Sequence, residues 1–173
     1  IIMLRTGVFA MLLGVTATQS PPGSTVYVSA DDIAATMAAA PEARVSDQSI
    51  RMIDAGGYNV GIGLVRRPST QPGGAIQHHN QTEVYYVVEG TGTLITGGTL
   101  VDGQPLDPDG NTVKNLTGPS SVGPRIQGGE SQRIGKDDML IIPAGTAHGF
   151  SNIEEDIAYL VIRIDPDQLV QLK

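Results

Sequence analysis

From Gln48 to its last residue the chain alternates short β-forming runs with breaks rich in glycine, proline and aspartate, and this punctuation limits its possible folds more than any other feature. Val, Ile, Tyr and Thr suit a pleated, half-buried strand, whereas Gly and Pro interrupt one. The runs are Ser49–Ala55, Tyr58–Arg67, Ala75–His79, Glu83–Glu89, Thr93–Thr96, Thr99–Val101, Met139–Ile142 and Ile157–Ile164. Between them, the stretch 102–135 shows little periodicity and is expected to be a long excursion holding one short strand near Val122–Ile126. With 22 Gly and 11 Pro in 173 residues, long helices have little room. The expectation is an all-β sandwich or barrel over residues 48–165, uninterrupted by a repeat of fixed period or a second domain boundary.

The first 47 residues read differently. Residues 1–17 have the composition of a secretory signal peptide: Arg5 for the charge, an apolar run from Val8 to Val15, and small residues at Val15-Thr16-Ala17. That run is shorter than the roughly 20 apolar residues a spanning helix needs. It predicts a secreted or periplasmic protein without a lasting membrane anchor. The competing reading is an N-terminal strand or helix docked on the domain. Residues 18–47 then form a Pro/Gly/Ser linker, a short strand at Thr25–Val28, and a helix from Ala30 to about Ala40. Ser29 is placed to cap that helix, Asp31 and Asp32 complement its first turn, and Pro41 ends it. Residues 166–173 are a tail.

Charge and cysteine content remove whole classes of function. Eleven Lys and Arg against 18 Asp and Glu give a formal charge of −7, which argues against nucleic acid or an anionic membrane surface as partner. The absence of cysteine excludes disulfides, thiolate metal sites and cysteine nucleophiles. The three histidines fall in just two segments, QHHNQTEVYYVVEG at 77–90 and DDMLIIPAGTAHGFSN at 137–152. Because side chains alternate across a strand, Gln77, His79 and Glu83 share a parity and His78 falls on the other side. In the second segment an apolar strand runs into Pro-Ala-Gly and then His148, which places that histidine at the rim or mouth of a barrel.

These segments resemble the two motifs of the cupin family. His79, three residues, Glu83, six residues and Gly90 match the register of the first motif; Pro143, Gly145, His148 and Asn152 match the second. The match departs at Gln77, which stands where the first motif has its leading histidine. It also departs at the leading glycines, with Asp137 in one place and Gly73 and Gly74 out of register in the other. The resemblance covers residues 48 to 165. It implies a cupin-type double-stranded β-helix, or jelly-roll barrel, with a divalent transition metal inside. Carried over by position, the ligands would be His79, Glu83 and His148, with Gln77 fourth, or His78 in its place if the strand is bulged. Nitrogen and carboxylate donors suit Mn, Fe, Co, Ni, Zn or Cu. The opposing reading is a metal-free polar cluster.

Tyr85, sharing parity with Glu83, is a candidate cavity residue and general base. Arg163 shares parity with Tyr159 and Val161 and either meets an anionic substrate or lies on the surface; Arg66 and Arg67 invite the same choice. Phe150 is a further candidate substrate contact. Two functions follow from the resemblance: an exported metalloenzyme of dioxygenase, isomerase or lyase type acting on a small organic molecule, or a non-catalytic barrel binding a sugar or phenolic acid. A homodimer is expected in either case, and part of residues 102–135 is expected to form a lid or rim.

Overall fold

The computed structural model describes residues 24–173. The expected signal segment, residues 1–17, lies outside them. A single helix, α1 (Ala30–Ala39), opens the described chain. Ser29 caps it as expected: its Oγ accepts from the Asp32 amide at 3.0 Å, and Asp32 Oδ2 accepts from the Ser29 amide at 2.9 Å. No residue of α1 is buried, because its alanines offer little apolar area to the sheet it lies against. Residues 25–28 form no strand, since no neighbouring strand takes up their backbone groups.

The rest is β: β1 (Ser46–Asp54), β2 (Asn59–Arg67), β3 (Ala75–His78), β4 (Thr82–Thr96), β5 (Thr99–Val101), β6 (Gln104–Pro105), β7 (Ser120–Gly123), β8 (Arg125–Gln127), β9 (Glu130–Gly135), β10 (Met139–Ile142) and β11 (Ala147–Asp165). All pairings are antiparallel, within a nine-stranded sheet and a two-stranded β5–β8 ribbon. This is the all-β architecture expected from the punctuation.

Two strands are much longer than the sequence suggested. Glu83–Glu89 and Thr93–Thr96 are parts of one strand, β4, and Ile157–Ile164 is the second half of the 19-residue β11. The two pair along their whole length, from His148↔Thr96 to Ile164↔Thr82, with bulges between Phe150 and Tyr159 that let the ribbon bend. Gly90 allows the close approach at that bend. Its φ is +77°, and a Cβ there would stand 2.0 Å from the Asp156 carbonyl oxygen. Glycine, read in the sequence as a break, here serves a continuous strand.

The excursion is also more ordered than expected. Residues 102–135 hold β6, a π-helical turn at Val113–Thr117, β7, β8 and β9. β7 pairs with β3, and β9 pairs with one half of β4. Thus part of this segment is wall. Its strands escaped the periodicity argument because the residues of β8 and β9 are largely exposed, Ile134 excepted, and backbone ladders rather than buried side chains hold them. The core lies between the walls: Val65, Tyr85, Val87, Leu94, Ile134, Ile142, Phe150, Ile153, Ile157, Tyr159 and Val161 form one buried cluster.

Candidate metal centre

Register decides which side chains meet inside. Ile76 of β3 stands opposite His148 of β11 and Val122 of β7, so His78, two residues on, shares the face of His148. Glu83 of β4 stands opposite Ile142 of β10 and Arg163 of β11. The result is one buried group of His78, Glu83 and His148, whose donor atoms all lie within 4.8 Å of one another. The Nε2 atoms of His78 and His148 stand 3.3 and 3.4 Å from Glu83 Oε2. None of the three residues is more than 4% exposed.

The other ring nitrogens fix the tautomers. His148 Nδ1 lies 3.0 Å from the Thr146 carbonyl, which can only accept, so that nitrogen carries a proton. His78 Nδ1 lies 2.9 Å from Ser120 Oγ, whose own hydroxyl donates to the Gly118 carbonyl at 3.0 Å. With its proton on that carbonyl, Ser120 Oγ can accept from His78 Nδ1. Burial lowers the His78 pKa more than Glu83 raises it, which keeps this ring neutral at pH 7. Both Nε2 atoms face a carboxylate oxygen, and among the described residues His148 Nε2 has no hydrogen-bond partner. Two imidazole nitrogens and one carboxylate oxygen converge on one point inside the barrel. That donor set fits a divalent cation, which would satisfy all three at once.

Glu83 is further constrained. Arg163 Nε donates to Oε1 at 2.8 Å, and the Tyr85 hydroxyl donates to Oε2 at 2.9 Å. Burial alone would raise the Glu83 pKa, but the Arg163 guanidinium together with His78 and His148 outweighs it, and the carboxyl is held well below its ordinary range. Arg163 is in turn gripped by Asp47 through Nη1 at 3.1 Å and Nη2 at 2.6 Å.

The structure rearranges the residues expected at this site. Glu83 and His148 are where the motifs place them, but His79 is not a member. β3 ends at His78 and the chain bends at residues 79 and 80, so alternation does not carry through to Glu83. His79 is exposed, with Nε2 2.9 Å from Ser121 Oγ on the outer face. Gln77 also belongs to that face, donating to the Gly145 carbonyl at 2.6 Å, and supplies no fourth donor. His78, the alternative, takes the inward place without a bulge in β3.

Tyr85 does face the group, but burial and the nearby Glu83 raise its pKa well above the usual phenol value. A phenol held protonated is a donor, not a base, near neutral pH. Arg163 is 5% exposed and holds Glu83, so it is neither a surface residue nor a free anion contact. Phe150 sits in the core near Tyr159, with ring centroids 6.1 Å apart, and the Arg67 guanidinium lies 5.6 Å from its ring centroid. Arg67 also donates to the Tyr159 hydroxyl at 3.0 Å, while Arg66 lies 3.7 Å from Asp156. Sequence reasoning missed Asp47 and Ser120 entirely. Neither carried a motif; both are recruited by strand pairing.

A cleft of about 390 Å³ between β9 and β10 is lined by Leu94, Thr96, Ile134, Leu140, Ile142 and Pro143, among others. Gln132, Arg133, Asp138 and Thr146 also line it, and Thr96 and Ile142 are the register partners of His148 and Glu83. Among the described residues no helix is long and apolar enough to cross a membrane.

No curated protein sequence matches the chain. Among solved structures, hydroquinone 1,2-dioxygenase from Sphingomonas sp. TTNP3 is similar at 15% identity and a TM-score of 0.48, over 89% of this chain and 88% of that one. The DMSP lyase DddQ from Ruegeria pomeroyi DSS-3 is similar at 15% identity and a TM-score of 0.47, over 72% of this chain. The chain spans 48% of that lyase's length. The EutQ protein of Clostridium difficile is similar at 14% identity and a TM-score of 0.42, over 71% of this chain and 69% of that one. Likenesses this distant transfer no activity. The family model described as Cupin matches residues 54–172, most of the chain and both motif segments, and on that match the protein belongs to the cupin family.

Proposed function

We propose that this cupin is a metal-dependent enzyme acting on a small organic molecule, with a divalent transition metal held by His78, Glu83 and His148. The observation that carries the reading is the convergence of the His78 and His148 Nε2 atoms on Glu83 Oε2, with His148 Nε2 otherwise unpartnered among the described residues. A bound cation of this kind supplies Lewis acidity or dioxygen chemistry of the dioxygenase, isomerase or lyase type. The nitrogen and carboxylate donors are compatible with Mn, Fe, Co, Ni, Zn or Cu.

The chain's own residues have separate tasks. Ser120 and the Thr146 carbonyl hold the Nδ1 protons and so aim both Nε2 lone pairs inward. Tyr85 keeps its proton at the hydroxyl oxygen and orients Glu83 Oε2. Export through residues 1–17 and a homodimeric state belong to the same proposal; the signal-like composition supports the first and the family resemblance the second.

Elemental analysis of protein purified without chelators tests the reading. Stoichiometric metal is expected in the wild type and in His79→Ala, and its loss is expected in His148→Ala and His78→Ala. Wild type that neither carries nor takes up any of the named ions would overturn it. One observation favours a second reading, a non-catalytic binding barrel: all three donor residues are almost wholly buried. Metal-free protein that still binds a sugar or phenolic acid would decide for that alternative.

A further inference from the structure

The two oxygens of Glu83 are not equivalent. Oε2 faces both imidazoles and the Tyr85 hydroxyl, while Oε1 is taken by Arg163 Nε at 2.8 Å. The guanidinium cannot swing away, because Asp47 holds its other two nitrogens in a two-pronged contact. β2 gives it room. Gly61 lies opposite Arg163 in the β11 ladder, and a Cβ on the neighbouring Gly63 would stand 3.7 Å from Arg163 Nη1 and 3.2 Å from Val161 Cγ1. Three strands, β1, β4 and β11, thus supply one fixed chain of contacts from Asp47 through Arg163 to Glu83.

We infer that Arg163, anchored by Asp47, is a positioning residue that restricts Glu83 to a single donor oxygen and so defines a site of two nitrogens and one oxygen. This rests on the metal reading above. That donor set leaves the remaining coordination positions of an ion to solvent and substrate, as in His-His-carboxylate sites generally. A two-oxygen carboxylate would fill one of those positions. Arg163 also carries positive charge close to where a cation would bind, and the two effects of removing it have opposite signs. If the guanidinium acts only through charge, its loss relieves repulsion and metal binds more tightly. If it positions Glu83, its loss lets the carboxylate turn away from the two imidazoles, and metal binds more weakly.

Titration of the chelator-stripped full-length protein with Co²⁺, followed by visible absorption and calorimetry, separates these cases. For Arg163→Met the expected result is about 10-fold to 100-fold weaker Co²⁺ binding, the scale seen when outer partners of ligands are removed, with a changed visible band. Arg163→Lys should recover part of the affinity. Asp47→Asn, which keeps shape and leaves Arg163 less firmly held, should shift the band in the same sense but less. Circular dichroism reports whether each variant folds, and if Arg163→Met does not, Asp47→Asn decides. Tighter binding, or an unchanged band in the folded variants, would overturn the inference while leaving the metal reading intact. Wild type that binds no Co²⁺ would remove both.

Discussion

At the scale of single residues, the centre is a matter of where protons sit. His78 and His148 differ from the outward His79 less in sequence context than in what holds their Nδ1 atoms: a serine hydroxyl that is already donating, and a carbonyl that can only accept. Removing such a support frees the ring to turn or to change tautomer. Ser120→Ala should therefore weaken metal binding about 10-fold to 100-fold, read by competition with a chromogenic chelator, while the sheet stays folded. The sequence made Glu83 and His148 visible because both sit in spaced motifs. It misplaced His79 and Gln77 because parity counting assumes an unbroken strand, and the chain bends at residues 79 and 80. Arg163 was half legible: its parity with Tyr159 and Val161 left it either facing a substrate or on the surface, and nothing local announced Asp47, 116 positions away, as its partner.

At the scale of elements, β4 and β11 carry the site. Each is long enough to serve two regions: β4 brings in Glu83 at one end and packs against β9 at the other, and β11 supplies His148 near its start and Arg163 near its end. The bend that permits this runs through Gly90. Substituting alanine there adds a side chain at positive φ and sets its Cβ against the Asp156 carbonyl. Gly90→Ala should cost more than the roughly 1–2 kcal/mol of the backbone conformation alone, measured by denaturant unfolding. No loss of stability would mean that β11 does not approach β4 this closely. The two strands were read as fragments because glycine and threonine at positions 90–93 look like a turn; pairing on both edges keeps them in one strand.

At the scale of the whole molecule, buried ionisable groups link stability to pH. His78 is held below its ordinary value near 6.5, so the unfolded chain takes up its proton first as pH falls. Glu83 is held well below 4.5, and it likewise binds its proton in the unfolded state before the folded one. Both signs agree: stability is present in full above pH 6.5 and declines on acidification, first through His78 and then, below about pH 4.5, through Glu83. Urea unfolding between pH 4 and 8 should show this decline, and His78→Gln should remove its upper part. A stability profile that is flat over that range would contradict the buried placement. The all-β class, the two motif segments and the helix capped by Ser29 follow from sequence alone, because turn formers, residue spacing and capping act over a few neighbours. Which histidine turns inward, that Arg163 meets Glu83, and that β7 and β9 join the sheet were decided by strand pairing between distant segments. Register between strands is a property of the assembled sheet, so no local stretch of chain contains it.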